Sequence, residues 1–129
     1  MSNHVDLTVL GTLRDVMEGE YPALLHIFIK DSEQRVRDLN RLMQSPGFSS
    51  AGDSRLHQLG LMAHSFKGSS GNMGAAHLAG LCRDLEDLAR TQAAASDSQI
   101  SLLVQAIEDE FRVVRDVFDV ELSVTLLEP

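Results

Sequence analysis

The sequence has few residues that could cross-link the chain or anchor it in a membrane. Cys82 is the single cysteine, so no intrachain disulfide can form. It lies between Leu81 and Leu85 in an apolar pattern, which favours a small buried side chain over the alternative of a reactive thiol. The apolar-rich run 24–29 is far shorter than a membrane span, and no secretory signal begins the chain. We therefore expect a cytoplasmic protein.

Basic residues are also scarce. The 129 residues contain 11 Lys and Arg against 19 Asp and Glu, a formal net charge of −8. Such a chain would repel phosphate backbones and anionic headgroups, so we expect neither nucleic acid nor a membrane as a partner. The length and the 43% hydrophobic fraction are typical of one globular domain. We predict a single domain over 1–129, with a core over about 5–122 and a short tail at 123–129.

Strand-like alternation of apolar and polar residues is absent too, whereas apolar residues recur at spacings of three and four, which predicts an all-α fold. Asp6 and Asp53 are the predicted N-caps of the first and third helices. Loops are expected over 45–52 and 93–97. The predicted helices cover about 7–17, 22–43, 54–73, 76–92 and 98–122. Their lengths and short connections favour an up-and-down antiparallel four-helix bundle, with the short first helix across one end.

The third helix carries the most informative pattern. A helical wheel of about 100° per residue separates a core stripe from a second stripe that faces away from it. The core stripe contains Leu56, Leu59, Met62, Ala63, Phe66, Ser70 and Met73. The second stripe contains His57, Gly60, Leu61, His64, Lys67, Gly68 and Gly71. We therefore expect an exposed imidazole at His64, with Lys67 one turn later at the border of the two stripes.

The glycines of this helix need an explanation, because each one in a helix interior costs about 1 kcal/mol relative to alanine. Helical side chains lean toward the N-terminus, so a side chain at position 68 would cover the imidazole of His64. Gly68 leaves the ring open, and Gly60 would clear its other side. Alternatively, the glycine-rich run could be a frayed helix end, with Gly74 as its left-handed C-cap.

An open imidazole beside a cation suits phosphoryl transfer, in which neutral histidine is a competent nucleophile and the cation neutralises phosphate charge. Lys67 would supply that cation; Lys30 is the only other lysine. The alternative is that His64 and Lys67 are ordinary polar surface residues. The coincidence of an open histidine, a neighbouring lysine and helix-interior glycines favours the chemical interpretation.

The run from Ala63 to Ala75, AHSFKGSSGNMGA, resembles the signature of histidine-containing phosphotransfer (Hpt) domains of multistep two-component signalling. The similarity covers about 5–122 and extends along the next helix, through Leu78, Leu81, Cys82, Leu85, Glu86 and Arg90. It implies a four-helix bundle whose exposed histidine exchanges phosphoryl groups with receiver-domain aspartates. The partners it implies are the receiver domains of response regulators and of hybrid sensor kinases.

The resemblance also implies roles for single residues. His64 corresponds to the phosphoacceptor, Lys67 to the phosphate-stabilising lysine, and Gly68 to the residue that keeps the imidazole accessible. Neither a cofactor nor a metal is expected in this chain. Any Mg²⁺ would belong to the receiver domain of the partner.

Four further residues are weaker candidates for binding a partner: His57, Leu61, Gly71 and Arg90. Leu61 is predicted to be an exposed apolar side chain next to the reactive group. Arg90 could assist at the phosphate, but we favour a structural pairing with Glu86 at the i,i+4 spacing. A carboxylate at position 86 would by itself repel phosphate.

A kinase and a metal site fit the sequence less well than phosphotransfer does. No nucleotide-binding glycine loop is present, so we expect a stoichiometric phosphocarrier and not a kinase. No two histidines have the i,i+4 spacing of a helical metal site among the available ligands, which are His4, His26, His57, His64, His77 and Cys82. A helical adaptor without chemistry remains the alternative function. A free-standing, monomeric relay protein is the expectation.

Overall fold

The described residues of the computed structural model, 4–44, 52–91 and 97–127, fold into helices, and none of them lies in a β-strand. The elements are α1 (Leu7–Met17), a 3-10 turn (Glu18–Glu20), α2 (Tyr21–Gln44), α3 (Gly52–Asn72), α4 (Ala76–Arg90) and α5 (Asp97–Leu127). The predicted all-α class is therefore confirmed. Of the predicted loops, 45–52 and 93–97, residues 45–51 and 93–96 lie outside the described residues, whereas Gly52 and Asp97 are the first residues of α3 and α5. Helix α4 ends at Arg90, two residues before the predicted end at Gln92.

Helices α2 to α5 form the predicted four-helix bundle. Both α2 and α4 pack against α3 and α5, so the four helices surround a common interior. The apolar stripes of these helices, together with Val5 and Leu10 near the N-terminus, form one core. Among the largest side chains that are fully buried are Tyr21, Phe66 and Phe118. Burial of these stripes is what stabilises helices of this length.

The short helix α1 lies against the turn between α3 and α4. Asp6 is its N-cap, as predicted, because the Asp6 carboxylate accepts a hydrogen bond from the Thr8 backbone N–H at 2.9 Å. The Asp6 backbone N–H in turn donates to the carbonyl of Gly74 at 2.8 Å. Leu10 is 1% exposed and joins the core. The N-terminal segment thereby covers the end of the bundle where α3 turns into α4.

The end of α5 and the start of α3 also differ from the sequence prediction. The predicted tail from Ser123 is wrong for residues 123–127, because α5 remains helical to Leu127. Neither Gly nor Pro interrupts 97–127, and Tyr21 fixes this end of α5 by donating a hydrogen bond to Glu121 at 3.2 Å. Asp53 is not an N-cap, because α3 already begins at Gly52. Helix ends of this kind are the least certain part of a sequence pattern.

None of the described helices combines the length and the apolar character that crossing a membrane would require.

Gly74 is needed at the α3–α4 turn for two reasons. Its φ is +78°, a left-handed conformation that an L side chain adopts at a cost of about 1 kcal/mol. A Cβ atom there would also lie 3.0 Å from the carbonyl oxygen of Asp6 and 3.0 Å from the Cβ of Val9. The left-handed conformation that the sequence suggested for Gly74 is thus present, and α1 packs against it.

We expect Gly74→Ala to lower the free energy of unfolding by about 2 kcal/mol, from backbone strain plus displacement of α1. Urea denaturation followed by circular dichroism measures this. Gly80→Ala is the matched control, because Gly80 lies within α4 and its added Cβ would meet nothing within 4 Å. That control should raise stability by up to about 1 kcal/mol. Equal effects at the two positions would contradict the role assigned to Gly74.

Candidate functional site

His64 projects from the outer face of α3. Its side chain is 65% exposed, whereas Ala63 and Phe66 on either side of it in the sequence are completely buried. Most of the predicted core stripe is buried as well, including Leu59, Ser70 and Met73. The helical wheel therefore assigned both faces of α3 correctly.

The imidazole of His64 is hydrogen-bonded to Glu86 of α4. Its Nδ1 lies 2.8 Å from Oε2 of Glu86, whose side chain is only 9% exposed. Oε1 of the same carboxylate accepts a hydrogen bond from Nζ of Lys67 at 2.7 Å. The hydrogen bond from Lys67, aided by that from His64, lowers the pKa of Glu86 to about 2 against the opposing effect of burial. Glu86 is therefore a carboxylate at neutral pH.

The ionised state of Glu86 fixes the tautomer of His64. A carboxylate can only accept hydrogen bonds, so Nδ1 of His64 must carry the proton that is shared with Glu86. In the neutral imidazole the other nitrogen, Nε2, is then unprotonated and holds the free lone pair. The reactive nitrogen of an exposed histidine is thereby defined by a buried carboxylate.

Arg90 completes a cluster of donors around Glu86. Its Nη2 lies 2.9 Å from Oε2 of Glu86, one helical turn away on α4, so the predicted i,i+4 pairing is present. The expectation that Glu86 would repel phosphate and pair with Arg90 was incomplete, because the carboxylate also binds His64 and Lys67. The carboxylate beside the exposed ring is thus bound by two positive side chains, Lys67 and Arg90. A buried carboxylate needs such partners, since desolvation without them would be costly.

Gly68 leaves open space where the sequence predicted it. A Cβ atom at Gly68 would meet nothing within 4 Å. At Gly60 a Cβ would lie 3.5 Å from the Cβ of Ala89, so this glycine also allows α4 to approach α3 closely. Gly71 faces Ala79 in a similar way, at 4.0 Å. Of the glycines on this stripe, Gly68 is the one at which an added Cβ would contact nothing, and it lies one helical turn after His64.

A cleft of about 270 Å³ lies between α3 and α4 on one side of the imidazole. It brings together three of the predicted partner-binding residues, His57, Leu61 and Arg90, with His64 itself. Gly71, the fourth, does not line it. The lining consists of Leu56, His57, Gly60, Leu61, His64, Glu86, Ala89 and Arg90. Leu61 is 58% exposed, as predicted for an apolar contact residue.

On the other side of α3, Arg35 of α2 reaches the residue next to His64. Its Nη1 donates a hydrogen bond to Oγ of Ser65 at 2.7 Å, and its guanidinium lies 6.0 Å from the ring centroid of Phe66. This arginine was not predicted from the sequence. Its position follows from the register of α2 against α3, which no motif within one helix encodes.

The single cysteine and the possible metal ligands form no second reactive site in the described residues. Cys82 is fully buried, and burial raises the pKa of its thiol to about 12, so the interpretation as a buried small side chain is confirmed. Within the described parts of the chain, no group of three or more His, Cys, Asp or Glu is placed to hold a metal ion.

Comparisons with known proteins agree with this geometry. The Hpt domain family matches residues 23–116. The crystal structure of histidine-containing phosphotransfer protein B from Pseudomonas aeruginosa PAO1 is 39% identical in sequence, with a TM-score of 0.79. That alignment covers 95% of this chain and 97% of the Pseudomonas chain. A search of curated proteins gave no match.

A rice protein described as a candidate histidine-containing phosphotransfer protein has the same fold, with a TM-score of 0.67 and 18% identity. The alignment covers 95% of this chain and 85% of the rice chain. At this identity the likeness concerns the fold alone. The family match over most of the chain and the Pseudomonas relative carry the assignment: the protein belongs to the Hpt domain family and is a histidine phosphotransfer protein of a phosphorelay.

Proposed function

We propose that Nε2 of His64 accepts a phosphoryl group from the aspartyl phosphate of one receiver domain and passes it to the aspartate of another. The observation that carries this assignment is the 2.8 Å hydrogen bond between Nδ1 of His64 and Glu86. That bond leaves Nε2 with its lone pair on a side chain that is 65% exposed. Such a nitrogen is oriented for attack and open to a large partner.

Lys67 and Gly68 complete the reacting group. Lys67 uses one N–H to bind Glu86, and its two other donors remain for the oxygens of the phosphoryl group. Gly68 keeps the space beside the ring open. Phosphoryl transfer depends mainly on positioning and charge neutralisation. Lys67 supplies the positive charge, and Gly68 lets the phosphoryl group reach the ring.

The proposed partners are receiver domains of response regulators and of hybrid sensor kinases. His57, Leu61 and Arg90 would contact them, because these residues surround His64 in the cleft between α3 and α4. Gly71 stays a weaker candidate for this surface. The protein is proposed to be a monomeric, single-domain cytoplasmic phosphocarrier without an ATP site. Its net charge of −8 disfavours nucleic acid as a partner.

The direct test is the transfer of ³²P from several phosphorylated receiver domains to the wild type and to His64→Gln. We expect label on the wild type only, and that label should be labile in acid and stable in base, as expected of a phosphoramidate. His26→Gln is the matched control, because His26 is another exposed histidine but lies on α2, outside the cleft. It should retain the label.

Equal labelling of His64→Gln and the wild type would contradict the assignment of His64. A wild type that binds a receiver domain without ever taking label from it would instead favour the adaptor function. Circular dichroism of both variants excludes unfolding as the cause of any loss.

A further inference from the structure

We propose that Glu86 holds the proton on Nδ1 of His64 throughout the transfer cycle, so that the phosphoryl group moves on and off Nε2 without proton exchange with solvent. Glu86 is then a positioning residue that acts through His64. The inference rests on the proposed function. It concerns the proton on Nδ1 of phosphorylated His64, which the role of His64 as phosphoacceptor does not determine.

The cycle balances without any proton leaving the site. The Nε2 lone pair forms the N–P bond as the P–O bond to the donor aspartate breaks, and that electron pair leaves with the aspartate carboxylate. The ring gains one positive charge and keeps its Nδ1 proton. In onward transfer an acceptor carboxylate oxygen forms a new P–O bond, and the N–P electron pair returns to Nε2. The leaving group is therefore a neutral imidazole.

The proton on Nδ1 decides how good that leaving group is. If Nδ1 lost its proton in the phosphorylated state, onward transfer would have to expel an imidazolate anion, which is a far poorer leaving group. A carboxylate at 2.8 Å from Nδ1 stabilises the positively charged phosphoimidazolium and keeps the proton in place. Because the Glu86 side chain is only 9% exposed, water screens this interaction little.

The surrounding positive charges allow Glu86 to keep the proton on Nδ1 of His64 without repelling the phosphoryl group. Lys67 of α3 binds Oε1 at 2.7 Å, and Arg90 of α4 binds Oε2 at 2.9 Å. Among the described residues, two further ionisable groups lie on this side of the bundle: His57 of α3 lines the same cleft as His64, and Arg35 of α2 is bound to Ser65. At neutral pH, none of these groups is an acceptor that lies as close to the Nδ1 proton as Glu86 does.

The experiment follows the ring proton directly. Wild type and Glu86→Gln, labelled with ¹⁵N in the histidine rings, are phosphorylated with potassium phosphoramidate. Their Nδ1 and Nε2 resonances are then recorded from pH 6 to pH 9. The rate of transfer to a receiver domain is measured over the same range. Glutamine keeps the shape and an acceptor oxygen at position 86 but lacks the charge.

In the wild type we expect phosphorylated His64 to retain its Nδ1 proton above neutral pH, with a nearly constant transfer rate. In Glu86→Gln the proton should be lost as the pH rises through neutrality, and transfer at pH 8 should be about 100-fold slower and recover as the pH falls. Glu110→Gln is the control. Glu110 is an equally buried carboxylate, but it pairs with His4 and lies outside the site. It should leave both profiles unchanged.

Wild-type phosphohistidine that loses its Nδ1 proton at the same pH as a phosphorylated histidine peptide would overturn the inference, whatever the variant does. Identical pH profiles for the wild type and Glu86→Gln would overturn it as well. Both results leave the assignment of His64 intact. If no phosphate attaches to His64 at all, the proposed function fails and the inference fails with it.

Discussion

Gly68→Leu should take up label from a phosphorylated receiver domain about 100-fold more slowly than the wild type, whereas Gly68→Ala should stay within about threefold of it. A Cβ at this position meets nothing within 4 Å, so alanine is accommodated without contact. A leucine side chain leans toward the N-terminus of α3 and covers the imidazole one turn earlier. The aspartyl phosphate of the partner then cannot reach Nε2. Initial rates of ³²P transfer at equal protein concentrations measure the difference.

Stability separates this effect from misfolding. Gly68 is a helix-interior glycine, so both substitutions should raise the free energy of unfolding by up to about 1 kcal/mol. Gly80→Leu supplies the matched control, because Gly80 likewise lies in a helix with open space at its Cβ, but on α4. It should leave the transfer rate unchanged. If Gly68→Ala is as slow as Gly68→Leu, access to the ring is not the reason for glycine at this position.

The two faces of α3 could be predicted from the sequence because a helix has a fixed period. The positions of His64, Lys67 and Gly68 relative to the core depend only on that period and on which residues are apolar. Each was therefore placed correctly on the wheel before any helix was packed against another. The bundle could be predicted for the same reason, since four apolar stripes joined by short connections can be buried together in few ways.

Glu86 could not be predicted in its role because that role depends on two helices at once. Its distances to His64 and Lys67 are set by the register of α4 against α3, which follows from the packing of side chains such as Ala89 against Gly60. The sequence predicted that Glu86 lies near the phosphate and pairs with Arg90 within α4, but not that it binds His64 and Lys67. A carboxylate beside a phosphate was therefore expected to be unfavourable. The cations that neutralise the carboxylate come from two helices, Lys67 from α3 and Arg90 from α4.

The end of α5 likewise depends on contacts with other helices, which the pattern of one helix does not contain. The regular core stripe weakens after Phe118, and this favoured a tail from Ser123. The helix continues because Glu121 is held by Tyr21 and lies 3.8 Å from Arg14, contacts made by elements about 100 residues earlier. Helix propagation needs only compatible residues and an anchored neighbour, not a continued core stripe.

Lys67→Ala should slow phosphoryl transfer to His64 by about 10- to 100-fold, because a charge-assisted hydrogen bond to the phosphoryl oxygens contributes about 1.5–3 kcal/mol. The measurement is the initial rate of labelling from a phosphorylated receiver domain. Lys30→Ala is the matched control: Lys30 is the only other lysine, lies exposed on α2, and pairs weakly with Glu33 at 3.6 Å. Its loss should leave the rate unchanged.

Removal of Lys67 has two separable consequences. The phosphoryl group loses a cation, and Glu86 loses the partner that binds Oε1 at 2.7 Å, which leaves more of its negative charge near the incoming phosphate. The same substitution made in a Glu86→Gln background removes the second consequence. If Lys67 acts on the phosphoryl group itself, the slowing caused by Lys67→Ala should persist in that background. If the slowing disappears there, Lys67 serves only to neutralise Glu86, and its assignment as the phosphate-stabilising residue is wrong.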